Sequence, residues 1–246
     1  LSQDTSSYGK DLRDGTKLSD LLRALSTVPG DYWIRMFYCY PNSFTDEVLE
    51  VMASDPRFCR YLDMPFQHIS DPVLKKMNRK ITRKEIEATM SRVRSQLPDV
   101  AWRTTFIVGF PTETDQDFEE LVDFVSEGHF QHLGIFLYSD EDNIRSSKFG
   151  DPIALSLKEQ RKNRLMEIQQ KISREHHQKM VGSLQQVLVG GFSSETDLLL
   201  EGRNQYQGPE VDGVVYINEG NATSAGFHQV EITEAHEYDL VGKILN

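Results

Sequence analysis

The chain has 246 residues, with 27 basic and 38 acidic side chains and a formal net charge of −11. Its hydrophobic content of 38% and charged content of 26% indicate a globular protein with one large domain, or with a medium and a small one. No apolar run reaches the roughly 18 residues of a membrane-spanning helix and no signal-peptide pattern opens the chain, so we expect a cytoplasmic protein. The absence of a Walker A loop, a GxGxxG motif and an HExxH motif excludes the functions that those motifs mark.

The first residues of the chain and its two cysteines lead to two further predictions. Residue 1 is leucine, and LSQDTSSYG resembles the end of a strand with its loop, so we expect a piece of a longer protein. Cys39 and Cys59 match no zinc or iron–sulfur spacing. We expect two buried thiols in a reducing compartment.

Strand and helix signals alternate from residue 1 to residue 155. The predicted helices begin with Leu18 or with the N-caps Thr45, Asp71, Thr82 and Thr114, the last two in capping boxes. The predicted strands cover residues 33–38, 61–64, 102–108 and 132–138. Short loops between them predict a parallel sheet with right-handed crossovers. A whole or partial (β/α) barrel is the first interpretation, and an open doubly wound sheet is the second.

The rest of the chain predicts a long helix and a second, smaller domain. Residues 156–180 form a polar helical segment, in which the adjacent His176 and His177 are expected to be a solvated pair because they do not share a helix face. Residues 181–246 contain short β-rich runs separated by turn residues, which predict a small antiparallel barrel. Ten acidic and two basic side chains give this last segment a net charge of −8. The predicted domains are therefore residues 1–155 and 181–246, joined by the helix 156–180.

Polar residues follow several predicted strands, at the edge where α/β folds keep their sites. In the segment IVGFPTET, Gly109 lacks a Cβ and would let a ligand or backbone approach closely, and Pro111 stiffens the turn. The helix start after it offers free N–H groups, although a plain strand–helix turn with a capping threonine explains the same residues. Gln67 and His68 form a second such loop, for which an ordinary polar turn is the alternative. A general-base role for His68 would need a partner carboxylate that the sequence does not assign.

Five segments occur in the order and spacing of the radical S-adenosylmethionine methylthiotransferases, and the closing segment resembles the TRAM domain of that family. These segments are QDTSSYG, WIRMFYCYP, YLDMPFQHISDPVLKKMNR, RTTFIVGFPTET and IFLYSDE. The resemblance covers nearly the whole chain. It implies a partial radical-SAM (β/α) barrel followed by an antiparallel TRAM β-barrel.

Two enzymes of the family compete, together with a third possibility from another class. One methylthiolates the β-carbon of an aspartate in the small-subunit ribosomal protein S-twelve, and the other modifies an adenosine in transfer RNA. WIRMFYCYP, PFQH, YSDE and GRNQYQGPEVDGVVYIN are similar to the ribosomal-protein type. A net charge of −8 also suits docking on a basic ribosomal protein and makes direct nucleic-acid binding unfavourable. The third possibility is a non-catalytic protein-binding module, and a monomer is expected throughout.

The resemblance also implies cofactors. The full-length family members use S-adenosylmethionine and two four-iron–four-sulfur clusters, one of them held by a CxxxCxxC motif expected before Leu1. The resemblance therefore assigns no metal ligand to this chain, and the chain alone is expected to be inactive. The resemblance does not identify the catalytic residues.

The same resemblance implies a set of cofactor-binding residues. Gly109, Pro111 and Glu113 would line the adenosyl group, and Gln3 and Gln67 would contact its ribose or amino-acid end. Tyr138 would flank the adenine, and His68 would belong to the same rim. After YSDE the sequence departs from the family, because residues 142–147 are DNIRSS where a Gly-Thr-x-Ala stretch is usual. This departure leaves the adenine contact there open.

Overall fold

The computed structural model describes residues 4–141, 147–220 and 225–245. Gln3 and residues 142–146 of the DNIRSS segment lie outside the described residues, so the predictions about them stay predictions. The chain divides into two compact units, Leu1–Gln169 and Gln170–Asn246. Within the described ranges, no helix combines the length and the apolar character that crossing a membrane requires.

The first unit is built on a four-stranded parallel sheet in the order β1-β2-β3-β4. The strands are β1 (Ile34–Met36), β2 (Phe58–Asp63), β3 (Ala101–Val108) and β4 (His132–Leu137). The helices are α1 (Leu18–Ser26), α2 (Asp46–Ser54), α3 (Asp71–Lys76), α4 (Arg83–Gln96), α5 (Asp115–Ser126) and α6 (Leu155–Gln178), which continues into the second unit. Each crossover steps in the same direction, as in a barrel, whereas a doubly wound sheet reverses its strand order. The prediction of a partial (β/α) barrel is confirmed.

The helix starts follow the predicted capping residues with one exception. Thr82 and Thr114 are N-caps in reciprocal capping boxes with Glu85 and Asp117, as predicted. The N-cap of α3, however, is Ser70, and the prediction of Asp71 is wrong by one residue. The Asp71 carboxylate instead accepts a hydrogen bond from the backbone N–H of Arg83 at 2.7 Å, so it supports the start of the next helix.

The two faces of the sheet differ in chemistry because successive side chains of a strand point to opposite sides. One face belongs to the hydrophobic core of the unit, with Leu62, Trp102, Phe106, Val108 and Ile135 among its buried members. The other face carries the side chains of Asp63, Arg103, Thr105 and His132. The apolar face therefore anchors the helices, and the polar face is available for other contacts.

The second unit contains a closed five-stranded barrel in the order β5-β6-β7-β9-β8. The strands are β5 (Leu184–Phe192), β6 (Leu200–Arg203), β7 (Val215–Glu219), β8 (Gly226–Ala235) and β9 (Leu240–Ile244). The barrel is confirmed, but its pairing is not antiparallel throughout, because β7 and β9 run parallel. A closed ring with an odd number of strands cannot alternate direction at every pair, so one parallel pair is a geometric necessity.

The prediction of a solvated histidine pair at the end of α6 is wrong for one member. His177 is buried, and its Nδ1 lies 3.0 Å from the carbonyl oxygen of His236. Adjacent helix positions differ in direction by about 100°, so one member of a pair can face a packed unit while the other does not. His177 therefore makes a structural contact within the second unit.

Candidate functional site

A cavity of about 430 Å³ lies beside the carboxyl ends of strands β3 and β4. Its lining includes Gln67, Lys76, Arg79, Ile107, Phe110 and Tyr138. This volume is within the range of small-molecule sites, about 300–1,000 Å³. The cavity brings together Gln67 and Tyr138, which the sequence assigned to two separate loops.

The backbone of Gln67 is fixed by strand β3 on both sides. Its N–H donates to the carbonyl oxygen of Thr105 at 2.9 Å, and its own carbonyl oxygen accepts from the N–H of Ile107 at 2.8 Å. The chain thus pairs with β3 again after the interruption at Pro65. Gln67 also has a φ of +73°, a left-handed conformation that is unfavourable for a residue with a side chain. Its position at the cavity is therefore imposed by the surrounding structure.

His68, the residue after Gln67, is fully buried. Its Nδ1 accepts a hydrogen bond from the backbone N–H of Ser70 at 3.0 Å, which puts the hydrogen of the neutral ring on Nε2. Nε2 lies 3.5 Å from Oε2 of Glu113, the carboxylate that the sequence could not assign. Both ring nitrogens thus face groups of the protein itself, Ser70 and Glu113, so the geometry favours a positioning role for His68.

Glu113 is buried at the centre of a polar network rather than on the cavity wall. Its Oε2 accepts from the backbone N–H of Gly109 at 2.9 Å, and its Oε1 accepts from the guanidinium of Arg161. Arg161 also pairs with the exposed carboxylate of Asp115. The carboxylate of Glu113 therefore fixes both ends of its own loop and joins this loop to helix α6.

The space beside Gly109 is filled by Lys158. Gly109 has a φ of +75°, and a Cβ at this position would lie 2.3 Å from Cγ of Lys158. Lys158 Nζ donates to the carbonyl oxygen of Tyr138 at 2.8 Å and to Oδ2 of Asp151 at 2.6 Å. The close approach that the sequence predicted at Gly109 is thus made by the Lys158 side chain and not by a ligand. Pro111 is partly exposed in the same loop.

Sequence reasoning missed Lys158 and Arg161, because α6 has the composition of a solvated helix. The two cations are buried, although they lie 45 or more residues after Gly109 and Glu113 in the sequence. Residues at i and i+3 share one face of a helix, so the spacing of these two cations is the one signal that could have indicated that both contact the same loop.

The two cysteines do not fit an iron–sulfur cluster. Both are free and buried, as predicted. Burial, with the nearby carboxylates of Asp63 and Asp4, raises the pKa of the Cys39 thiol, whereas a metal ligand must be a thiolate. Among residues 4–141, 147–220 and 225–245, no three His, Cys, Asp or Glu side chains are grouped so that they could hold a metal ion.

Comparisons with known proteins agree with the two units. Residues 5–125 match the family model of the radical SAM superfamily, and residues 181–245 match that of the TRAM domain. The solved coproporphyrinogen III oxidase HemN of Escherichia coli, described as a radical SAM enzyme, is similar to 76% of this chain and 50% of its own. The TM-score is 0.52 at 16% sequence identity, a likeness that supports the fold alone.

Curated relatives match the chain along its whole length. The ribosomal protein uS12 methylthiotransferase RimO of Geobacter sulfurreducens is 41% identical over 246 residues, which is 100% of this chain and 55% of that protein. The protein of the same name from Bdellovibrio bacteriovorus is 47% identical over 250 residues, with 100% and 55% covered. The chain therefore spans about half the length of these relatives. A match to the radical SAM superfamily implies S-adenosylmethionine and iron–sulfur clusters as cofactors. The chain thus combines a radical SAM domain with a TRAM domain, and over its whole length it is similar to the RimO proteins.

Proposed function

We propose that this chain is part of an enzyme that methylthiolates the β-carbon of an aspartate in ribosomal protein uS12. The observation that carries the proposal is the identity of 41% and 47% to uS12 methylthiotransferases across the whole chain. We propose residues 1–155 as part of the radical-SAM barrel, 156–180 as a connecting helix and 181–246 as the TRAM domain. The two four-iron–four-sulfur clusters would be held by residues outside this chain.

The cavity at the ends of β3 and β4 fits an adenosyl cofactor. S-adenosylmethionine, when bound with its cluster, supplies a radical that removes hydrogen from a carbon that no side-chain base could deprotonate. The ring of Tyr138 packs edge-on against that of Phe110, with the two ring centroids 5.3 Å apart. This pair would form a rigid aromatic wall for a planar base. The side chain of Gln67 would contact the ribose or amino-acid end, and Gln3 would share this role.

The loop from Gly109 to Glu113 has a supporting role in this proposal. His68 and Arg161 hold Glu113, and Lys158 fills the space at Gly109. These contacts immobilise the turn that follows β3 before any ligand binds, and preorganisation of this kind lowers the entropic cost of binding. Pro111, Gly109 and Glu113 would therefore shape the adenosyl site through the backbone of the loop.

The TRAM barrel would dock the basic ribosomal protein. Burial raises the pKa of Tyr216 above its ordinary value, and the negative charges of Asp239, Glu195 and Glu201 raise it further. Glu201 lies directly opposite Tyr216 in the pairing of β6 with β7. Carboxylates near a tyrosine ring attract Lys and Arg side chains and repel phosphate. We propose this acidic patch, Glu195, Glu201, Tyr216 and Asp239, as the docking surface of a monomeric enzyme.

The proposal is tested with the chain joined to the remaining part of the relatives' length, which we propose lies upstream of Leu1. The extended protein is reconstituted with iron and sulfide without oxygen and is then assayed with S-adenosylmethionine, dithionite as the one-electron reductant, and either uS12 or transfer RNA. We expect mass spectrometry to detect one methylthio group on an aspartate of uS12. Modified adenosine in transfer RNA would instead indicate the other enzyme of the family, and a failure to take up iron would indicate a non-catalytic binding module.

A further inference from the structure

The polar face of the sheet carries a guanidinium that is held in one orientation. Nη1 of Arg103 donates to Oδ1 of Asp63 at 3.0 Å. The other oxygen of Asp63 accepts from the backbone N–H of Tyr38, also at 3.0 Å. Asp63 is buried, with 1% of its side chain exposed, whereas Arg103 remains 18% exposed. The buried carboxylate therefore acts as a fixed support, and the guanidinium is presented at the surface of the sheet.

A second guanidinium, that of Arg35, belongs to the same group of side chains as Arg103. The guanidinium carbon of Arg35 lies 5.3 Å from the ring centroid of Tyr61, and this ring is 5.9 Å from that of His132. Arg35 and Arg103 thus place two guanidinium groups beside the aromatic rings of this face. The whole chain has a net charge of −11. A positive group on the face of a sheet in an acidic protein is suited to an anion.

A glycine opens space next to this guanidinium. Gly134 on β4 pairs with Thr105 on β3. A Cβ at position 134 would lie 3.5 Å from Oγ1 of Thr105 and 3.8 Å from Nη2 of Arg103. Glycine inside a strand weakens the sheet and often marks a place where a ligand approaches closely. The missing side chain therefore leaves room for a small group in contact with both polar atoms.

We propose that this cluster binds the carboxylate of the aspartate that is modified, with Arg103 as the residue that determines specificity. The inference rests on the proposed function and deepens it. In aspartate, the carboxylate is bonded directly to the β-carbon, so a guanidinium that holds the carboxylate fixes the reacting carbon to within one bond. The planar fork of arginine binds a carboxylate through two parallel hydrogen bonds, and lysine cannot do so. Asp63 is the positioning residue that orients this fork.

Peptide binding to the whole chain tests the recognition step without any cofactor. Two peptides covering the modified loop of uS12 are compared by calorimetry, one with the target aspartate and one with asparagine in its place. We expect the chain to prefer the aspartate peptide by about 10- to 100-fold, the range of a charge-assisted hydrogen bond. Arg103→Gln should abolish this preference. The control Arg164→Gln removes the same charge from an exposed ion pair with Glu119, and this variant should retain the preference for the aspartate peptide.

A second variant leaves Arg103 in place. Gly134→Val fills the space over Arg103 and Thr105, at a strand position without a left-handed backbone, and should weaken binding of the aspartate peptide. Circular dichroism and the unfolding midpoint establish that both variants fold. If folded Arg103→Gln still prefers aspartate over asparagine, or if Gly134→Val binds as tightly as the parent chain, the inference is wrong.

The extended, reconstituted enzyme separates this inference from the proposed function. With the aspartate peptide we expect Arg103→Gln to raise KM more than it lowers kcat, and to reduce the discrimination against asparagine. An enzyme that modifies no uS12 at all would overturn the proposed function. If the enzyme modifies uS12, but its Arg103→Gln variant still discriminates against the asparagine peptide as strongly as the parent, only the inference is wrong.

Discussion

Glu113 illustrates how a residue of the proposed cofactor loop can act without facing the cavity. Its side chain and that of Arg161 are buried, and without Glu113 the guanidinium would keep only the exposed carboxylate of Asp115 as an anionic partner. We therefore expect Glu113→Gln to lower the free energy of unfolding by about 3 to 5 kcal/mol, the cost of breaking a buried ion pair. Urea unfolding monitored by circular dichroism measures this change.

The control for Glu113→Gln is an ion pair made by the same helix in solvent. Arg164 and Glu119 contact each other with about half of each side chain exposed, 46% and 52%. Water and salt screen such a pair, so Glu119→Gln should change stability little. Equal effects of the two substitutions would mean that the Glu113 network does not hold the loop.

Gly109 and Gly128 form a matched pair for a second prediction. Both have a φ of +75°, but a Cβ at Gly109 would meet Lys158, whereas a Cβ at Gly128 would meet nothing within 4 Å. Gly128→Ala should therefore cost only the left-handed backbone, about 1 to 2 kcal/mol. Gly109→Ala should cost about 1 kcal/mol or more beyond that, because Lys158 must leave its place. Thermal unfolding of both variants provides the comparison, and equal losses would contradict the packing at Gly109.

At the scale of the secondary-structure elements, Asp117 connects the first turns of helices α3 and α5. Its carboxylate accepts from the hydroxyl of Ser70, the N-cap of α3, and from the hydroxyl and backbone N–H of Thr114, the N-cap of α5. Burial on its own would raise the pKa of Asp117, but these hydrogen bonds outweigh it, and the pKa lies below its ordinary value. The ionised carboxylate thus stabilises the folded state.

The lowered pKa of Asp117 predicts how stability changes with pH. A carboxyl with a lower pKa in the folded than in the unfolded chain stabilises fully above the unfolded value, about 3.9, and this contribution is lost as the pH falls through the folded value. The melting temperature should therefore fall less between pH 6 and pH 3 in Asp117→Asn than in the parent. Asp123→Asn, an exposed position on the same helix, should follow the parent. If Asp117→Asn also follows the parent, the carboxylate does not have this role.

Local signals were sufficient to predict most elements, and the exceptions have physical causes. The capping boxes at Thr82 and Thr114 bring donor and acceptor together within four residues, so they are visible in sequence. The first strand was predicted as residues 33–38 but ends at Met36, and Tyr38 has a left-handed φ of +55°. Its backbone N–H is bound by Asp63, a contact 25 residues away that no local pattern contains.

The candidate site was also predictable only in part. Gln67 and Tyr138 follow strands, and strand ends meet at one edge of a parallel sheet, so their common cavity could be expected from topology. The roles of Lys158 and Arg161 could not, because they depend on how α6 packs in the first unit. His68 lacked a partner in the sequence for the same reason, since Glu113 reaches it only after the loop has folded.

At the scale of the whole molecule, the distribution of charge distinguishes the barrel segment, residues 181–246, from the rest of the chain. Residues 1–180 hold 25 basic and 28 acidic side chains, whereas residues 181–246 hold two and ten. Such a bias is a property of the solvated surface and not of the fold, because the barrel interior consists of apolar side chains. The bias therefore bears on partners, and it can be tested without cofactor or catalysis.

The last prediction concerns the binding of uS12 to the whole chain. If the acidic patch docks this protein, its dissociation constant should rise steeply with salt, because the screening length falls from about 30 Å at 0.01 M to about 10 Å at 0.1 M. Glu195→Gln combined with Glu201→Gln should weaken binding at low salt and flatten the salt dependence. The control combines Glu234→Gln and Glu237→Gln, which removes the same charge from carboxylates outside the patch. Equal losses in both double variants would mean that only net charge matters, and tighter binding at high salt would contradict an electrostatic docking surface.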